Sequence, residues 1–160
     1  MPGRGRLLHT RGRPGPPAAD PGAEGRLAVI VLDTDVLIDI LAGEEPWATW
    51  FVERLPSRRL ATTSINGFEL LAGARTPEEA QRLRTFLRPL PVLAFDLEAA
   101  RRAADAAGEL RRQGEPLPLP MADLAIAGIC LELEAALLTR NRRHFERIAG
   151  LRLEGLARGS

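Results

Sequence analysis

Val29-Ile30-Val31-Leu32-Asp33-Thr34-Asp35 is the stretch whose reading decides the fold. Four consecutive aliphatic side chains predict a strand buried on both faces, as in parallel sheets covered by helices on either side. The run then stops in two carboxylates. Side chains at that point lie at the carboxyl end of the strand, where open α/β sheets bind their ligands. Further acids brought there from distant parts of the chain would repel one another unless a cation neutralised them. Clustered oxygen ligands are what Mg²⁺ and Mn²⁺ prefer.

Outward from this strand, short apolar runs alternate with helical patterns, the signature of an α/β domain. Strand one is expected at about 28–32, with a helix at 35–42 stopped near Gly43. A second helix starts after Pro46 and turns Trp47, Trp50 and Phe51 to the core. Residues 60–62 predict a short strand, and Ser64 is expected to cap a helix to about Ala74. Further helices are expected at 77–88, from Asp96 to about Gln113, and from Pro120 or Met121 to about Leu133. Strands are expected at 91–95, 136–139 and 151–153, and a short helix at 142–148. Residues 115–120 (Glu-Pro-Leu-Pro-Leu-Pro) must form a loop, because proline tolerates no helix interior.

Composition sets the outer limits. A chain of 160 residues, 45% hydrophobic and 27% charged, fits one domain with a real core. No apolar run approaches the roughly 20 residues needed to span a bilayer, and no signal-peptide region is evident, so a cytoplasmic protein is expected. Cys130 is the single cysteine and reads as buried filler. All 22 basic residues are Arg. Residues 1–26 carry five of them against Asp20 and Glu24, within a Gly- and Pro-rich stretch that reads as a disordered tail or an over-extended start. Residues 27–160 hold 17 Arg against 19 acids, so the domain is not a nucleic-acid binder by bulk charge. Polyanion binding would need local Arg clusters near the acids.

Asp33, Asp35, Glu69 and Asp123 stand at element ends or on partly apolar faces. Each has a bland reading. Asp33 or Asp35 can cap a helix, Asp123 can sit in a first turn for its dipole, and Glu69 can face solvent or pair with Arg. Together they point to metal-assisted attack of water on a phosphodiester. Asp39 reads as a surface residue. The only histidines are His9 and His144, so no Ser–His–Asp or Cys–His set competes, and no phosphate-binding glycine loop is present.

The Asp33-Thr34-Asp35 strand end, the Ser64-Ile65-Asn66-Gly67-Phe68-Glu69-Leu70-Leu71-Ala72-Gly73 helix, the Asp123-Leu124-Ala125-Ile126-Ala127 helix and the segment from Leu138 to Ile148 resemble PIN domains. The match covers residues 28–156 and is most similar to VapC toxins of type II toxin–antitoxin modules. The resemblance implies a three-layer α/β/α sandwich with a mainly parallel sheet over residues 27–157. It implies a Mg²⁺-dependent endoribonuclease, with Mn²⁺ able to substitute, in which Asp33, Glu69 and Asp123 are catalytic and Asp33 and Asp123 bind metal directly. Asp35, Thr139 and Asn141 are then accessory residues, Asn141 standing where relatives often carry a fourth acid. Arg140, Arg142 and Arg143 are RNA-contact candidates, with a solvated face or antitoxin contacts weighed equally. The implied partners are RNA, a small antitoxin and a second copy of the chain. A catalytically weak domain that binds antitoxin is the alternative. A haloacid-dehalogenase-like phosphatase, suggested by Asp33-x-Asp35, fails on Leu37, the missing Lys and the short length.

Overall fold

The computed structural model describes residues 28–114 and 119–156. The expected N-terminal tail, most of the Pro-rich loop and both outer limits of the expected domain lie outside these residues. Strands β1 (Ile30–Leu32), β2 (Leu60–Thr63), β3 (Val92–Leu93), β4 (Ala136–Leu138) and β5 (Arg152–Leu153) form one sheet in the order β3-β2-β1-β4-β5. Every pairing is parallel. The helices are α1 (Thr34–Ala42), α2 (Trp47–Arg54), α3 (Ser64–Ala72), α4 (Pro77–Leu87), α5 (Leu97–Arg112), α6 (Met121–Glu132) and α7 (Arg142–Phe145).

Pleating divides β1 between two cores. Ile30 and Leu32 face one side with Val36, Leu37, Trp50, Phe51 and Leu70, whereas Val31 faces the other with Leu110, Ile126, Leu137 and Phe145. The sheet is therefore the middle layer of an α/β/α sandwich. β1 has β2 on one side and β4 on the other, so the chain reverses its direction of sheet growth at β1. Crevices open at such switch points, outside the carboxyl ends of the strands.

Helix ends follow local chemistry. Gly43 adopts a left-handed conformation that closes α1, and the carboxylate of Asp96 accepts from the Ala99 amide to open α5. Thr63, not Ser64, caps α3. Its hydroxyl accepts from the Asn66 amide, because Thr63 is the last extended residue of β2 and Ser64 is already helical. The Ser64 hydroxyl instead accepts from the Phe95 amide. The strand expected at 91–95 is reduced to two residues, and the helix expected at 142–148 ends at Phe145.

The helix α6 is buried from Leu124 to Cys130 and rests on α5. A Cβ placed on Gly128 would lie 2.8 Å from the Ala103 Cβ and would press harder still on the Ala99 carbonyl oxygen. Only glycine permits this approach. Cys130 is buried as expected, and burial, with the charge of Asp33 added, pushes its thiol up to about 12.

Candidate active site

The crevice between β1 and β4 is built on Asp33, which directly follows β1 and caps α1. Its Oδ1 accepts from the Thr34 amide at 2.8 Å and from Nδ2 of Asn66 at 2.9 Å. Its Oδ2 accepts from the hydroxyl of Thr139, directly after β4, at 2.7 Å. The last bond spans the switch point. Burial pushes the Asp33 carboxyl up to about 6, and the charges of Asp35 and Asp123 add to that push against the lowering effect of its donors.

Asn66 is fully buried at the start of α3. Its carbonyl oxygen accepts from the Thr63 hydroxyl, and its amide donates to Asp33 and to Oγ1 of Thr34 at 3.0 Å. The Thr34 hydroxyl then donates to Glu69 at 2.6 Å. Donation thus diverges from Asn66, directly to Asp33 on one side and through the Thr34 hydroxyl to Glu69 on the other. Glu69 therefore reaches the site through Thr34 and not by meeting Asp33.

Asp35 accepts from the Arg140 amide at 3.1 Å. Burial raises its carboxyl, while the amides of Arg140 and Val36 and the Arg140 charge ease it and the Asp39 charge opposes them. Its Oδ1 is buried and accepts no hydrogen bond of good geometry. Asp39 departs from its expected surface role. Its side chain is largely covered and forms an ion pair with Arg140 at 2.9 Å, which loops across from the end of β4.

Asp123 lies in the first turn of α6. Its Oδ2 meets Nδ1 of His144 at 3.0 Å, and the Asn141 side-chain amide lies 2.6 Å from the same nitrogen. One ring nitrogen cannot accept from Asn141 while donating to a carboxylate. With the Asn141 amide turned over, its carbonyl oxygen and Oδ2 of Asp123 share the Nδ1 hydrogen, which satisfies all three groups. The Asn141 backbone amide donates to Oγ1 of Thr139 at 3.0 Å, joining this cluster to that of Asp33.

Of the three expected RNA-contact residues, Arg140 is held by Asp39, and Arg142 donates to the Glu154 carbonyl and pairs with Glu146. Arg143 is exposed, with no such partner among the described residues. The residues that sequence reasoning missed are Thr34, Asn66 and His144. Asn66 was visible as a polar side chain three residues before Glu69, directly after the apolar Ile65. His144 was visible as the residue one turn after Asn141.

Among the described residues no three His, Cys, Asp or Glu side chains form a ready-made metal cage. The donors nonetheless suit a hard cation. Mg²⁺ is commonly held by one or two carboxylates and keeps several waters, and here carboxylates converge with one buried oxygen lacking a proper donor. Beside Glu69, α1, α3 and α4 enclose a cleft of about 500 Å³ lined by Ile38, Leu41, Leu70, Leu83 and Arg82.

Among the described residues no helix is long and apolar enough to cross a membrane. No curated protein sequence matches the chain. Solved structures do. The DNA-bound VapBC of Salmonella typhimurium is 30% identical, with a TM-score of 0.67 over 80% of this chain and 98% of that one. VapBC-1 of nontypeable Haemophilus influenzae is 25% identical, with a TM-score of 0.63 over 79% and 96%. VapBC2 of Rickettsia felis, bound to a promoter DNA fragment, shares the fold at 24% identity, with a TM-score of 0.70 over 81% and 99%. The PIN domain family model matches residues 30–151. With that match, the parallel sandwich and the VapC-like relatives, this chain belongs to the PIN domain family, a family of nucleases.

Proposed function

We propose that the chain is a Mg²⁺-dependent endoribonuclease, the toxin of a type II toxin–antitoxin module, and that Mn²⁺ can replace Mg²⁺. The observation that carries the reading is the buried Asp33 carboxylate at the end of β1, on which the charges of Asp35 and Asp123 act. There burial and mutual repulsion hold Asp33 at about 6, and one buried carboxylate oxygen lacks a proper donor. Asp33 and Asp123 would hold the ion directly, and Glu69 would orient water beside it. When bound, such an ion lowers the pKa of a water and stabilises charge on the scissile phosphate and leaving oxygen.

The chain's own residues set the geometry for that chemistry. Thr139 and Asn66 fix the Asp33 carboxylate from two sides, and Thr34 holds Glu69. Arg143, exposed beside the site, is the best placed of the three arginines to meet an RNA phosphate. Arg140 and Arg142 are already engaged with protein groups.

The likeness to VapBC assemblies supports a small antitoxin as partner. The apolar cleft beside Glu69 offers it a seat next to the acids. A cytoplasmic homodimer completes the reading. Asn141 favours the second reading, a weak nuclease acting chiefly as an antitoxin-binding module, because its side chain engages His144 and brings no charge.

The test is purified protein with defined tRNA and rRNA fragments, in Mg²⁺ or EDTA, beside Asp33→Asn and Asp123→Asn. Cleavage should require the ion and both acids. Cleavage that persists in EDTA or in either variant would overturn the nuclease reading. Tight antitoxin binding without cleavage would establish the second.

A further inference from the structure

Among the described residues Asp123 has one side-chain hydrogen-bond partner, where Asp33 has two. The residue that opens α6, Pro120, provides no side-chain cap. Among the described residues Oδ1 of Asp123 accepts no hydrogen bond, and Oδ2 has only His144. A carboxylate in the first turn of a helix with free amides has a competing use, since it can fold back onto those amides. The imidazole that prevents this is itself well placed. Phe145, the next residue, is fully buried and anchors α7 in the core. Asn141, one turn earlier, braces Nδ1. The bond to Asp123 needs a hydrogen on Nδ1, which is present both in the imidazolium and in one neutral tautomer.

We propose that His144 is a positioning residue for the metal site. Its Nδ1–H, braced by Asn141, fixes Oδ2 of Asp123 and leaves Oδ1 for a divalent cation. Asn141 then stands in the place of a fourth acid not as a ligand but as the support of the imidazole. The inference rests on the metal-nuclease reading above. Partners that orient a ligand from behind are worth about 10- to 100-fold in metal affinity.

The test measures Mn²⁺ binding to the full chain by electron paramagnetic resonance, without RNA, with folding checked by thermal melting in EDTA. His144→Asn keeps a donor at the Nδ1 position, whereas His144→Gln moves it and His144→Ala removes it. We expect the Ala and Gln variants to bind Mn²⁺ about tenfold more weakly or worse, and the Asn variant to stay within about threefold of the parent. An Ala variant that binds like the parent would overturn the inference, as would an Asn variant as weak as Ala. Asp123→Asn separates the two levels. If it abolishes binding while His144→Ala does not, only the inference fails. If the parent binds no Mn²⁺, or Asp123→Asn leaves binding unchanged, the metal reading fails and takes the inference with it.

Discussion

Asp33, at the end of β1, and Asp123, in the first turn of α6, are near enough for the charge of one to act on the other. Asp33 is buried and accepts from the Thr34 amide, Asn66 and Thr139. Asp123 is partly exposed and, among the described residues, its side chain hydrogen-bonds only with His144. The first carboxylate belongs to the core network and is placed by folding itself. The second stands on α6 and is steadied by His144 from α7, a short helix that follows β4. One side of the site is therefore rigid and costly to ionise, the other adjustable and supported by a single imidazole.

The largest expected effect treats the two acids alike. Asp33→Asn and Asp123→Asn should each lower RNA cleavage on the order of a thousandfold, as when a preorganised charge-stabilising group is removed. A variant that retains a tenth of the parent rate would show that its side of the crevice is dispensable.

Stability should then separate them. The Asp33 carboxyl is raised from an ordinary 3.8 to about 6, so the folded state binds that proton more tightly than the unfolded chain does. Its contribution to stability is complete below 3.8 and is lost as pH rises through about 6, a swing of up to about 3 kcal/mol. Urea unfolding without divalent cations, compared between parent and Asp33→Asn from pH 5 to 7.5, should show the parent losing stability relative to the variant. Parallel pH profiles would remove the distinction between a buried and an adjustable acid.

A smaller contrast concerns the supports. Asn66→Leu leaves buried donors and acceptors without partners and should cost about 1–3 kcal/mol. His144→Ala, at the partly exposed side, should stay within about 0.5 kcal/mol in the absence of metal. Equal losses on chemical denaturation would mean that both sides are built into the core. Smallest of all, Arg140→Ala should cost about 0.2–1 kcal/mol, because its pair with Asp39 is more than half exposed on the arginine side. Such a loss should shrink further in high salt.

What could be read from the sequence follows the same division. The buried run before Asp33, the small apolar helix around Asp123 and the alternation of elements are local patterns, and each predicts its neighbourhood without knowledge of the fold. Hydrogen-bond partners are not local. Asn66 meets Asp33 across 33 positions and His144 meets Asp123 across 21, so neither residue is distinctive until β1, α3, α6 and α7 are placed. Asp39 reads as exposed for the same reason, its partner lying 101 positions away. The cap of α3 is a finer matter. Thr63 and Ser64 are equally good capping chemistry, and only the backbone angle at which β2 ends decides between them.

Gly128 has a reach beyond its own contact. It lies five residues after Asp123, roughly 7.5 Å along the helix axis, and its missing side chain lets α6 settle against the Ala99 and Ala103 backbone. Any larger residue would lever the two helices apart and carry the start of α6 with them. Sequence at this position is thereby tied to the backbone of α5, because the tightest approach is to the Ala99 carbonyl oxygen, which no side-chain change at Ala103 removes. The position of an acid on the surface of the crevice is thus inherited from a hydrogen atom in the interior.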